Sequence, residues 1–352
     1  MSEVMHIDHW HYLGNKPAVT GIMKTRPEDF IVREQLGYEP VGEGEHIYLW
    51  VRKQGLNTAY LAEEIAKFAN LPLRAISYAG RKDKHALTEQ WFGVHKPGKV
   101  EYQWDKLAVP GAQVLKAIRH NKKLRTGVLK GNQFELVIRD LSSTEGLEER
   151  LLAIRKNGVP NYFGSQRFGD SRYDPRGSNL VLAEKMIAGE EIRNRNKRSM
   201  AISALRSWLF NEYVSARLAD NVYTQPLAGD VMSLAGSNSF FSAELIDETI
   251  MQRLEKRDIQ LSAPMWGAGE LASKLDAAEY ELRLASKHPQ IRSTLEDLGL
   301  KQERRTISLY AEDMAWDIRE SQLRLSFILP SGSFATSVLR EVADVTQPGV
   351  ME

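Results

Sequence analysis

One carboxylate stands among cations in Gly80-Arg81-Lys82-Asp83-Lys84-His85-Ala86. An ionised carboxylate can attack carbon, as it does in glycosidases. Positive neighbours favour the ionised form of Asp83 and also attract phosphates. Charge pattern alone favours an acid that merely neutralises an exposed basic loop, since structural ion pairs produce the same arrangement. Other chemistries find less support. The chain contains no cysteine, which excludes disulfides, thiolate catalysis and cysteine-based metal sites. Gly93-Val94-His95-Lys96-Pro97-Gly98-Lys99-Val100 is one residue short of a phosphate-binding loop. Val100 has no hydroxyl for magnesium, so the segment reads as a hairpin connection. No G-x-G-x-x-G follows a strand and no G-x-S-x-G occurs, so dinucleotide and nucleophile-elbow chemistry are not signalled. His6, His9 and His11 could hold a metal, but a lightly packed terminus is the expected reading. No cofactor and no metal are implied.

The 352 residues favour two domains, or one with a long insertion. With 42% hydrophobic and 26% charged residues the composition is that of an ordinary globular protein. No apolar run approaches a membrane span, and the N-terminus lacks the pattern of a secretory signal. A cytoplasmic location fits these absences. Net charge is only +1, yet the cations cluster. Lys116, Arg119, Lys122, Lys123, Arg125 and Lys130 fall between Val114 and Phe134 with no acid among them; Arg193 to Arg198 and Arg74 to Lys84 are further clusters. Short charge runs are usually solvated faces. Three of them, interleaved with Asn and aromatics, point toward phosphate contact.

These residues must be held by elements whose periodicity is readable. Strands are expected at Phe30 to Leu36, His46 to Arg52, Ala75 to Tyr78, Trp91 to His95, Gln113 to His120 and Gln133 to Leu141. Asn57 is placed to cap a helix carrying Leu61, Ile65 and Phe68. Gly80 would permit a sharp turn before Asp83. Leu147, Leu151 and Ile154 repeat at helical spacing, with Gly158 as terminator. Beyond Pro160 helices are expected at Ala201 to Leu218, Met251 to Arg257 and Leu271 to Lys287. Gly229 to Gly236 and Pro264 to Gly269 look like turn-rich connections. Strand-like alternation returns at Leu323 to Phe327, with a helix at Phe334 to Val342. The fold class is α+β, with a helix-rich middle set inside a strand-rich outer part.

Several blocks carry more information. Gly80 to Gln90 closely resembles the signature of the tRNA pseudouridine synthase D (TruD) family. Lys24-Thr25-Arg26-Pro27-Glu28-Asp29-Phe30, Gly42 to His46, Lys130-Gly131-Asn132-Gln133-Phe134, Val159 to Gly169 and Leu329 to Glu341 resemble further family blocks, in order, over nearly the whole chain. The resemblance implies the pseudouridine synthase catalytic fold, a mixed sheet flanked by helices, over 1–157 and 306–352. A family-specific inserted α+β domain would span 158–305, giving a two-lobed molecule with a basic cleft for tRNA. It implies isomerisation of uridine to pseudouridine, at position 13 for the bacterial members, with no cofactor and no obligatory protein partner. Asp83 takes the nucleophile's place. Phe30, Asn132 and Phe334 take substrate-binding places, and Phe134 stands where other pseudouridine synthases carry an active-site tyrosine. Lys24 is the candidate basic partner of Asp83.

The residue types suit that reaction. A base in folded RNA must be unstacked, and aromatic rings replace the lost stacking. Asn132 can read the uracil edge through its amide. Attack on C6 of uracil, attack on C1′ and abstraction of the 2′ proton all remain open for Asp83. Two rivals share some features. A non-catalytic RNA-binding protein shares the basic clusters. A carboxylate-dependent nucleoside or glycoside hydrolase would need a second carboxylate, for which Glu28 or Glu89 is available.

Overall fold

A computed structural model describes residues 4 to 348, apart from His85, Lys99, Asp170, Arg172, Tyr173 and Asn238. The chain forms two compact units, one of residues 17–155, 311–335 and 342 onward, the other of residues up to 16, 156–310 and 336–341.

The first unit is built on a ten-stranded mixed sheet. Its strands are β1 (Thr20–Met23), β2 (Phe30–Gln35), β3 (His46–Lys53), β4 (Ile76–Tyr78), β5 (Leu87–His95), β6 (Ala112–His120) and β7 (Gly131–Arg139), with helices α1 (Thr58–Phe68) and α2 (Leu147–Asn157). After the second unit's main segment the chain returns as β14 (Glu312–Arg319), β15 (Gln322–Pro330) and β16 (Asp344–Thr346), while residues 336–341 of the intervening α9 (Ala335–Val342) belong to the second unit. The main path runs β14-β15-β7-β2-β5-β3-β6. Pairing of β2 with β5 and of β1 with β16 is parallel; the remaining pairs are antiparallel.

Alternation along these strands sorts their residues onto two faces. On one, Ile47, Leu49 and Val51 of β3 meet Phe92 and Val94 of β5, and Leu61, Ala62 and Ile65 of α1 join them in a buried cluster. Burial of each large side chain contributes roughly 1.5–3 kcal/mol. Asn57 takes the N-cap place of α1, yet its side chain makes no capping bond. Contrary to the hairpin connection expected from sequence, the segment after β5 does not join neighbouring strands. β5 and β6 both pair with β3, which lies between them, so residues 96–111 cross over it.

In the second unit the elements are β8 (Val159–Pro160), α3 (Ser165–Phe168), α4 (Ser178–Ile187), α5 (Arg195–Ala219), β9 (Asp230–Leu234), β10 (Phe240–Ala243), α6 (Glu248–Glu255), β11 (Ile259–Met265), α7 (Leu275–Ser286), α8 (Pro289–Asp297), β12 (Glu303–Thr306) and β13 (Ser308–Leu309). Strand β9 corrects the reading of Gly229 to Gly236 as a connection. Both glycines have positive φ and stand at the two ends of a strand, which hid it. α5 is its central helix; Asn194 caps it by accepting from Lys197 N at 3.0 Å. Trp208, Leu209, Phe210, Tyr213 and Val214 of α5 are buried. The N-terminal segment is packed against this helix, contrary to the lightly packed terminus expected. Met5 and Trp10 are buried, and Trp10 Nε1 donates to Glu212 Oε1 at 2.7 Å. His9 Nε2 lies 2.7 Å from Glu212 Oε1, and His11 Nδ1 lies 3.0 Å from Ser215 Oγ. Two apolar anchors thus fix the segment, and two of its histidines bond to α5.

Arg217 and Asp230 form a buried bidentate pair at 2.9 and 2.8 Å that ties α5 to β9. Removing one partner of a buried pair leaves an uncompensated charge. Arg217→Met should therefore lower unfolding stability by about 3–5 kcal/mol in urea titrations. A loss below about 1 kcal/mol would show that the pair does not hold these elements together.

Candidate active site

Four contacts fix the backbone of the Asp83 segment. Gln90 Nε2 donates to Gly80 O at 3.4 Å, and Lys82 N donates to Thr58 Oγ1 at 3.0 Å. Lys53 Nζ donates to Asp83 O at 3.0 Å and to Leu56 O at 2.9 Å. Gly55 N donates to Lys84 O at 3.0 Å. Thr58 in turn donates to Gln90 Oε1 at 2.9 Å, so the anchors are joined. Gly80 is not needed for a special backbone conformation. It lacks positive φ, and a Cβ there would meet only Lys82 Nζ at 3.6 Å.

The cations around Asp83 have separate tasks. Lys82 Nζ lies 2.5 Å from Glu34 Oε1, and both side chains are almost fully buried. Burial drives the Glu34 carboxyl above its ordinary range, against the opposing pull of Lys82. Lys24 Nζ lies 2.6 Å from Asp83 Oδ2 and 4.5 Å from the centre of the Phe30 ring. Lys24 adopts a left-handed backbone, with φ of 57°. A long side chain rarely takes this conformation, which is found mostly where surrounding structure imposes it. Arg81 and Lys84 are exposed.

The turn that follows Lys24 sets the ring of Phe30. Pro27 starts a single 3-10 turn, and Asp29 Oδ2 accepts from Arg26 N at 3.0 Å. Arg139 donates to both oxygens of Asp29. Burial alone would raise the Asp29 carboxyl, but the bonds from Arg139 and Arg26 hold it below its ordinary value. Phe30, Val32 and Glu34 then alternate onto one face of β2. Register places Val32 beside Phe134, and Glu34 beside Asn132. The Phe30 and Phe134 rings meet edge to face at 6.3 Å, and Phe134 stacks on Phe327 at 5.4 Å. Both Phe30 and Phe134 are 7% exposed, so little of either residue reaches the surface. Asn132 Oδ1 is buried and accepts no hydrogen bond among the described residues; the same holds for Thr88 Oγ1. Buried acceptors of this kind are uncommon and call for a partner.

Contacts thus link Asp83, Lys24, Phe30 and Phe134, and Asn132 shares the sheet face of the two rings. Phe334 lies half-buried in the turn after β15, whose Leu329 and Pro330 pair with Asn132 and Gly131. Among the described residues no ring pair joins it to Phe30 or Phe134. The second carboxylates available to a hydrolase point elsewhere. Glu89 faces the opposite side of the sheet, between Arg33 at 3.2 Å and Arg52 at 2.7 Å. Glu28 lines a cavity of about 540 Å³ with Ile31, Glu135 and Arg324, also on that side.

Lys53, Glu34 and Thr58 were not singled out from sequence, although two of them left a trace. Lys53 continues the buried phase of Ile47, Leu49 and Val51, and Glu34 that of Phe30 and Val32. A charged residue in phase with an apolar face is buried and must be partnered. Lys53 has no exposed surface, and its ammonium pKa is pushed down to about 8, mainly by burial. Because the folded value lies below the ordinary 10.5, the unfolded chain binds the extra proton between these limits. Wild-type stability should therefore rise relative to Lys53→Met as pH climbs from 8 to 10.5, by up to ~3 kcal/mol. Paired urea titrations at pH 7.5 and 10 read this directly, and parallel pH profiles would contradict it.

Comparison with known proteins identifies the family. The family model described as tRNA pseudouridine synthase D (TruD) matches residues 6–192 and 181–342. A protein of that name from Pseudoalteromonas atlantica is 65% identical over 341 residues, covering 97% of each chain. One from Aeromonas salmonicida is 48% identical over 336 residues, covering 96% of this chain and 94% of its own. The crystal structure of a TruD protein from Methanosarcina mazei shares the fold, with a TM-score of 0.75 at 21% identity over 96% of each chain. The chain belongs to the tRNA pseudouridine synthase D family.

Proposed function

We propose that this protein isomerises uridine to pseudouridine in tRNA, at position 13, with Asp83 as nucleophile. The observation that carries the reading is the Asp83 carboxylate, paired with Lys24 and rigidly anchored, beside Phe30, Phe134 and the unbonded Asn132 Oδ1. In this reading the target uridine is flipped out of the RNA stack and its ring is held against the phenylalanine edges, with Phe334 closing over it. Asn132 Oδ1 accepts the uracil N3–H, which would satisfy the buried acceptor.

The N1–C1′ bond breaks and a C1′–C5 bond forms. The proton on C5 leaves to solvent and N1 gains one. No electrons are gained or lost, so the balance requires no redox cofactor. Asp83 supplies the negative charge that opens the reaction, by attack on C6 or C1′ or by taking the 2′ proton. Lys24 positions the carboxylate and compensates its charge between steps. Residues 158–305 are assigned to the family's inserted domain, and all the groups invoked come from a single chain. Basic side chains hold the tRNA backbone, and a tRNA substrate places the protein in the cytoplasm.

Asp83→Asn should bind tRNA and lose at least ~10³-fold in turnover, read as tritium release from C5-labelled tRNA. Retained turnover in this variant would sink the assignment. Phe134→Ala should lower kcat/KM by about tenfold or more, because stacking on the target base is lost. Its tRNA Kd should stay within about threefold of wild type, because phosphate contacts dominate affinity. Equal losses in both would mark Phe134 as a structural residue only.

A further inference from the structure

A second polar pocket lies at the other end of the sheet, and the chemistry above makes no use of it. Tyr38, His46, His120, Lys122, Lys123 and Arg125 line a volume of about 850 Å³, with Glu39 the acid at its wall. His46 and Lys53 are the first and last residues of β3, so about 23 Å separates this pocket from the Asp83 anchor at ~3.3 Å per residue. Alternation also puts them on opposite faces. The pocket and the Asp83 site are therefore separate places on the same sheet.

The pocket is built from ordered parts. Tyr38 stacks on His120 at 5.3 Å and 24°, and its hydroxyl lies 3.2 Å from that of Tyr48. His120 is buried, and its Nδ1 accepts from Val41 N at 3.3 Å, which leaves Nε2 to carry the proton. Gly44, with φ of 115°, is pressed against the end of β6; a Cβ there would fall 2.4 Å from His120 O. Leu124 is buried against Gly93 and pins the loop from which Lys122, Lys123 and Arg125 project. These three cations are exposed, and among the described residues none pairs with an acid. The histidines register their field. Burial and then His95 and Lys123 lower the His46 pKa, while burial and then Lys122 lower that of His120.

Unneutralised cations beside a half-exposed, already stacked tyrosine fit one chemistry well. A phosphodiester would satisfy the charges, and the adjoining base could lie on the aromatic ring. We propose that this pocket is a second tRNA contact, taking a backbone phosphate on Lys122, Lys123 and Arg125 and a neighbouring base on Tyr38. It rests on the reading that tRNA is the substrate. Its role is to hold the substrate body while the target uridine is processed elsewhere on the sheet.

The test compares wild type, the Lys122→Ala/Lys123→Ala double variant and Lys67→Ala, a surface control on α1, for binding of an unmodified tRNA transcript from 0.05 to 0.3 M salt. The double variant should bind roughly tenfold more weakly at low salt, with a log–log salt slope shallower by about one to two. Lys67→Ala should follow wild type. A double variant with wild-type Kd and slope overturns the proposal. Inorganic phosphate added to wild type should move the His46 and His120 imidazole titrations to higher pH by NMR; unmoved histidines also overturn it. Tritium release from C5-labelled tRNA tests the synthase reading separately. A protein that releases none, while its tRNA binding depends on Lys122 and Lys123, loses that reading and keeps this pocket.

Discussion

A lysine with no exposed surface holds the backbone of the Asp83 segment. Lys53 spends its ammonium on two carbonyls, those of Asp83 and Leu56, in a place where burial disfavours its charge. Such an arrangement persists only when the surroundings supply the compensating dipoles and charges. Here they do. Lys82 and Glu34 form a second buried ionic pair nearby, and Thr58 and Gln90 tie the remaining groups together. The result is a carboxylate carried on an irregular stretch of chain yet held as if on a regular element.

The sheet explains why these groups meet. β2 and β5 are parallel neighbours, β7 flanks β2, and β3 flanks β5. One face of these four strands carries Phe30, Glu34, Phe134, Asn132, Thr88 and Lys53, and α1 buries the apolar continuation of the same face. The polar residues on it therefore sit at the border of the core, where dielectric is low and unpaired groups are costly. Two phenylalanine rings and an amide oxygen with no partner among the described residues meet at this border, and an ion-paired carboxylate is tied to them through Lys24.

Basic residues that look alike in the sequence divide into distinct roles. Lys82 neutralises a buried acid, and Arg119 braces a loop by donating to Gly44 O and Val100 O. Lys122, Lys123 and Arg125 point outward beside stacked rings. Net charge near zero thus hides a locally strong positive field, because acids and bases are paired in some regions and left unpaired in others.

The sequence by itself determined much of this protein. Alternation at His46 to Arg52 and helical spacing at Leu61, Ile65 and Phe68 were readable, because solvent sorts residues locally by face. The α+β class followed from these periods, and the family from ordered motif blocks. Local patterns do not show strand order, so the segment after β5 reads as a hairpin although β3 lies between its ends. They also missed β9, because glycines at both its ends resemble a turn. The N-terminal segment reads as lightly packed, although Trp10 and Met5 are buried in the unit that holds α5. At the site, charge pattern alone leaves Asp83 an acid among cations; the motif blocks imply its role and offer Lys24 as its partner. The tertiary structure sets Lys24, 59 residues away, against that carboxylate, and it alone brings Lys53 across 30 residues to the Asp83 carbonyl. Contacts between distant parts of the chain are set by register and packing, and no local property of either segment encodes them.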